Sequence, residues 1–280
     1  MYDYLVVGSG LYGGGVAPLL FALIVAVLGI ALGYKFINHE LRQNQALTKL
    51  QAEVSLLSAK VNNINSQNIK WPDGQFKYLA IGNSLTLHAK TSFWWNENGM
   101  AASDKNHDYF HLVVDYLNTN NGPVYAVPTN FAAWEVQTHD RDETLMFLEP
   151  YLNKEIDLIT IQVAENAHDI STFEKDFISL INFVKDKCPK ARVLVVGDFW
   201  KYSNRDEQKE RACKKAGAEY VSLHGIKDNK EYFCGIGTRV LGDDGKEHIV
   251  EHDGVAAHPG DKGMKAIAER IIEQLKKDHL

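Results

Sequence analysis

From residue 75 onward the sequence alternates between short strand-like runs and longer stretches of helical periodicity, an order that few folds accommodate. Strand-like runs lie at 76–82, 123–127, 157–163, 192–198 and 218–223. Helical periodicity covers 107–118, 143–152, 172–187 and 205–216. A last helix begins near Gly260, with Met264, Ile267, Ile271 and Leu275 on one face. Strands separated by helices pair in parallel through right-handed crossovers, and the helices cover both faces of the sheet. The expectation for residues 71–280 is therefore a three-layer α/β domain with a mostly parallel sheet.

The first 70 residues read differently. Residues 16–37 carry no charge until Lys35, and roughly twenty apolar residues suffice to cross the hydrocarbon core. This predicts a transmembrane helix over 16–37. The stretch is too long for a signal-peptide core, and no Lys or Arg precedes it. Gly29 and Gly33 either let two such helices approach closely or simply face lipid. Beyond it, Leu47, Val54 and Val61 fall at a positions and Leu50, Leu57 and Ile64 at d positions of a heptad. That pattern predicts a coiled-coil stalk over 38–70 and a homo-oligomer; the alternative is one amphipathic helix lying on the domain. Asn-rich residues 62–68 and Trp71-Pro72-Asp73-Gly74 then end the stalk.

A net charge of −6 and a pI near 6.0 give no support for a nucleic-acid surface. Cys188, Cys213 and Cys234 cannot all pair within the chain and lack metal-type spacing, which argues against a disulfide framework. The leader 1–15 contains Gly8, Gly10 and Gly13, nearly a G-x-G-x-x-G turn, and it resembles the first dozen residues of UDP-galactopyranose mutases, which are flavoproteins. A dinucleotide turn needs a βαβ unit of roughly thirty residues. A membrane-type run follows here instead, so neither a flavin nor any other cofactor is expected.

The chemistry concentrates at three strand or loop ends. The apolar run Phe76–Ile81 stops at Gly82-Asn83-Ser84, with helix-compatible residues after it. A serine on the turn leaving a central strand has its hydroxyl at the sheet's carboxyl edge, where open α/β sheets bind ligands. Serine needs a base and an oxyanion hole to act as a nucleophile. Asn166, in Ala164-Glu165-Asn166 after the third strand, can aim a side-chain N–H at an oxyanion. His258, followed by Pro259, stands on the loop before the last helix, with Asp253 nearby to orient its imidazole. Singly, each reads more readily as a turn-capping or surface residue.

Together these pieces resemble the SGNH (GDSL-type) hydrolase superfamily over roughly residues 75–278. Gly82-Asn83-Ser84 looks like its first block, Ala164-Glu165-Asn166 its third, and Asp253 to Gly263 its last. The resemblance implies an esterase in which His258 deprotonates Ser84. The oxyanion would be held by the Ser84 N–H, the Asn166 side chain and a backbone N–H near Ala132. The third-block glycine is Ala164 here, and Asp253 precedes His258 by two residues more than in the family pattern. Either Asp253 orients His258 through a bulged loop or a backbone carbonyl does so.

Trp94, Trp95 and Trp134 are candidates for stacking on sugar rings, with core packing the alternative. His88 is expected as a packing residue near the pocket mouth, and Asp198 has no role in the family pattern. The resemblance favours O-acyl groups of a carbohydrate as substrate. Transfer to a sugar hydroxyl, making the chain an O-acetyltransferase, and a non-catalytic glycan-binding scaffold are the alternatives. Family tendency favours an extracytoplasmic domain. Lys35, Arg42 and Lys49, which follow the apolar run, point to the cytoplasm.

Overall fold

The computed structural model describes residues 69–137, 140–202, 204–227 and 229–279. The leader 1–15, the apolar segment 16–37 and the heptad segment as far as residue 68 lie outside the described residues. No helix among the described residues is long and apolar enough to cross a membrane.

Five strands form one parallel sheet: β1 (Phe76–Gly82), β2 (Val124–Asn130), β3 (Leu158–Gln162), β4 (Arg192–Val196) and β5 (Glu219–Val221). Their order is β2-β1-β3-β4-β5. The chain steps outward from β1 to β2 and then returns past β1 to β3. The reversal opens a crevice above the carboxyl ends of β1 and β3.

Side chains alternate across the sheet and divide the core into two layers. Leu79, Ile81, Ile159, Ile161, Val193 and Val195 face one side, against Phe177, Leu180, Ile181 and Val184 of α3 (Phe173–Lys187) and Ala212 of α4 (Arg205–Ala216). Tyr78, Ala80, Leu158, Leu194 and Val196 face the other. There they meet Tyr109, Val113 and Leu117 of α1 (Tyr109–Asn121) and Met264, Ile267 and Ile271 of α6 (Asp261–Leu275). Both helix faces follow the i, i+3/i+4 spacing read in the sequence.

Three local departures stand out. Residues Arg141–Tyr151 form a 3-10 helix rather than an α-helix, with Pro150 in its last turn. No helix follows Ser84. The N–H groups of Thr86 and Leu87 both bond the Asn83 carbonyl, closing one turn. The Ser84 carbonyl then accepts from Met100 (2.7 Å) and the His88 N–H turns to Asn98 (3.1 Å), so the turn cannot propagate. The third departure is a hairpin, β6 (Arg239–Leu241) with β7 (Glu247–Ile249). Strands this short leave little sequence periodicity. Val240 and Val250 there pack with Trp94, Met100 and Val255 as a third cluster, which supports the loop after Ser84 and the short α5 (Asp253–Ala256).

Candidate active site

Strand register decides which residues meet. Gly82 pairs with Asn130 on one side and with Gln162 on the other, so β1, β2 and β3 end level. Ser84, Ala132 and Asn166 lie just beyond these ends and line one cleft of about 880 Å³. His258 joins them from the loop between α5 and α6. Gly82 itself is required: a Cβ there would fall 1.7 Å from Thr86 Oγ1, inside the turn that carries Ser84.

Ser84 Oγ lies 2.9 Å from His258 Nε2. The other ring nitrogen, Nδ1, is 2.6 Å from the carbonyl oxygen of Gly254. A carbonyl can only accept, so the proton sits on Nδ1 and the Nε2 lone pair faces the serine hydroxyl. This is the tautomer a general base needs. Burial pushes the imidazole down to about 4, and the bond to Gly254 offsets this only in part. His258 is therefore neutral, and ready to take a proton, well below pH 7.

Asp253 does not orient His258. It opens α5 as an exposed residue, and the Gly254 carbonyl one residue on takes the imidazole N–H instead. The α-helical turn of 253–256 turns that carbonyl toward the following loop, as helix C-terminal carbonyls do. Of the two arrangements open from the sequence, the backbone one is present.

The oxyanion side also differs in detail. The Ala132 N–H, expected as a donor, is engaged at 3.0 Å by Oδ1 of Asn130, the last residue of β2, whose side chain folds back on the backbone two residues on, just before α2 (Ala132–Val136). The Ser84 N–H has no partner among the described residues. Asn166 lines the cleft while its Nδ2 donates to Glu135 Oε2 at 2.5 Å, leaving its second amide hydrogen for a ligand.

Beneath the nucleophile turn lies a buried acidic pair that sequence reading passed over. Glu135 and Glu165 are both buried. The Asn83 amide donates one hydrogen to each, at 2.8 Å to Glu135 Oε1 and 2.8 Å to Glu165 Oε2. Burial, then the neighbouring Glu165, pushes Glu135 up to about 7. Burial and Asp198 push Glu165 up as well. Behind them Asp198 pairs with Arg205 (2.7 Å) and Lys209 (2.6 Å) in the interior, away from the cleft. Two acids at this spot explain why asparagine precedes Ser84: an aspartate would add a third carboxylate. Both glutamates sit next to motif residues, but nothing in a linear pattern brings residue 135 beside residue 165.

The three tryptophans expected at the substrate are elsewhere. Trp134 is fully buried against Phe173 and Phe177, and Trp94 is fully buried in the hairpin cluster. Trp95 stacks on His248 at 4.5 Å. The loop after Ser84 folds down onto the hairpin and carries both Trp94 and Trp95 away from the cleft. The aromatic side chains that do line it are Trp200, Phe93 and Tyr151. Trp200 donates its Nε1–H to the Ala257 carbonyl (3.0 Å) and sets its ring edge-on to His258 at 5.1 Å. Its position four residues beyond the end of β4 was the available signal. His88 also lines the cleft, and burial lowers its pKa.

No protein-family model matches the sequence, and no curated protein is significantly similar to it. Solved structures resemble it at low identity. A two-domain esterase active on acetylated mannans is 16% identical, with a TM-score of 0.45; the match covers 72% of this chain and 49% of that one. This chain thus spans about half the length of that esterase. A family two carbohydrate esterase from Clostridium thermocellum is 14% identical, with a TM-score of 0.47 and coverage of 75% and 66%. A putative GDSL-like lipase from Bacteroides ovatus is 16% identical, with a TM-score of 0.46 and coverage of 72% and 99%. What this cleft can do follows from its own distances.

Proposed function

We propose that this chain is a serine esterase of the SGNH/GDSL type that removes O-acyl groups, foremost acetyl, from a carbohydrate. One observation carries the reading: a serine hydroxyl 2.9 Å from the Nε2 of an imidazole whose Nδ1 lies 2.6 Å from a carbonyl oxygen, in an open cleft. His258 takes the Ser84 proton as Oγ attacks the ester carbonyl. The tetrahedral oxyanion is received by the Ser84 N–H and the free amide hydrogen of Asn166. The imidazolium then gives its proton to the departing sugar oxygen, leaving an acyl-serine. Water, deprotonated by His258, adds to the acyl carbon; collapse releases the acid and restores Ser84.

The carbohydrate assignment draws on the cleft walls. Trp200, Phe93 and Tyr151 line the cleft beside Asn130 and Glu97, a mixture of aromatic and polar groups suited to sugar rings. Residues 16–37 and 47–64 extend the proposal to a membrane anchor and a helical stalk joining copies of the chain, with the catalytic domain outside the cytoplasm.

The test is to treat the purified full chain with a fluorophosphonate probe and with an acetylated polysaccharide. Label on Ser84, acetate release, and loss of both in Ser84→Ala and His258→Ala variants that remain folded are expected. Acetyl transfer to added sugar acceptors in place of acetate release would make the chain a transferase. No label and no turnover of any ester would refute the enzymatic reading.

A further inference from the structure

Glu135 plays no part in the steps just given, yet its buried carboxylate touches both halves of the site. Oε1 accepts from Asn83 Nδ2 (2.8 Å) and from the Ala164 N–H (2.5 Å), and Oε2 accepts from Asn166 Nδ2 (2.5 Å). Asn83 adjoins the nucleophile, and Asn166 offers its remaining amide hydrogen to the cleft. Ala164 holds a φ of +129°, a conformation that costs a residue with a Cβ of order 1–3 kcal/mol and persists only when its surroundings enforce it. The Glu135 carboxylate supplies that enforcement by binding the Ala164 N–H.

We infer that Glu135 is a positioning residue for acyl transfer: its carboxylate clamps Asn83, Ala164 and Asn166 together and fixes the Asn166 carboxamide with its amide hydrogen toward the oxyanion. The inference rests on the esterase reading above and adds to it a residue that never meets the substrate.

All three partners of the carboxylate are donors, so only a group with two accepting oxygens serves them all. Glutamine has nearly the same shape but one oxygen. Two donors crowd the Oε1 side, so the glutamine oxygen stays there and its NH2 confronts Asn166 Nδ2. Two donors facing each other force the Asn166 carboxamide to turn over. An oxygen lone pair then replaces the N–H that the oxyanion requires.

Charge matters for the same reason. A protonated Glu135 would turn one accepting oxygen into a donor. The groups facing it are Glu165 from the turn after β3, with Asp198 after β4 and the buried Arg205 and Lys209 of α4 behind that, and Arg141 over the adjoining Trp134 ring. Among these the neighbouring carboxylate opposes ionisation of Glu135, which burial also disfavours. An acid limb of turnover near pH 7, from Glu135 and well above the titration of His258, is the expected consequence.

The experiment compares wild type, E135Q, N166A and the E135Q/N166A double variant in the full chain. It measures kcat and KM on p-nitrophenyl acetate from pH 4 to 9, fluorophosphonate labelling of Ser84, and thermal melting. E135Q is expected to lower kcat roughly 10²–10³-fold, as loss of one oxyanion donor does, with KM changed less than about threefold. Added to N166A it costs nothing further, because it acts through that amide. The acid limb near pH 7 disappears in both single variants. E135Q within about threefold of wild type, costs that multiply in the double variant, or an acid limb that survives in N166A would each overturn the inference. The N166A profile decides even if E135Q fails to fold. Wild type with neither ester turnover nor label on Ser84 would overturn the esterase reading itself, and this inference with it.

Discussion

Replacing Asp253 by alanine separates this site from a conventional triad. Where a buried aspartate holds the catalytic imidazole, neutralising it lowers kcat about 10⁴-fold, or about 5.4 kcal/mol. Here the imidazole Nδ1–H is held by the Gly254 carbonyl at 2.6 Å, and Asp253 is exposed. A solvent-screened charge of this kind contributes at most about 1 kcal/mol, so D253A should keep kcat/KM within about fivefold of wild type. Loss of an acidic residue from the start of α5 also costs at most about 1 kcal/mol of stability, a melting shift of about 2–4 °C. The assay is p-nitrophenyl acetate hydrolysis, with the rate of fluorophosphonate labelling in parallel and circular dichroism to verify the fold. A fall of 10³-fold or more in a normally melting D253A protein would refute the reasoning, since it would mean that the carboxylate reaches His258 during the reaction.

Two other substitutions have outcomes fixed by the same structure. N83D removes the amide that donates to both buried glutamates and adds a third acid; breaking so buried an arrangement costs about 3–5 kcal/mol, and the loss should grow above pH 7, where Glu135 ionises. Urea unfolding at pH 6 and pH 8 checks this, and equal stability to wild type at both would contradict it. W134A removes a fully buried ring packed on Phe173 and Phe177 beneath the Arg141 guanidinium. It should cost about 3–5 kcal/mol and lower the melting temperature by about 10 °C. A raised KM with unchanged melting would instead return Trp134 to the substrate.

Much of the fold was legible because it is local. Strands 76–82 and 192–198 and helices 172–187 and 205–216 announce themselves by the spacing of apolar residues, which follows directly from backbone geometry. The helix absent after Ser84 was not legible: its propagation is blocked by Met100 and Asn98, residues that reach it only after the loop folds back. The aromatic wall was misread for a similar reason. Trp94, Trp95 and Trp134 have the right chemistry, but only packing decides that they turn inward or onto the hairpin while Trp200 faces the cleft.

By itself the sequence determined the α/β layering, the turn that presents Ser84 and the candidacy of His258 and Asn166, since residue type and periodicity are properties of short stretches of chain. The tertiary structure alone decided that Ser84 and a histidine 174 residues away share a hydrogen bond. It decided too that a backbone carbonyl rather than Asp253 holds that histidine, and that Glu135 binds both sides of the site. Those outcomes depend on strand register and on the burial of particular polar groups. Both are fixed only when distant segments exclude water from one another and must satisfy each other's donors and acceptors.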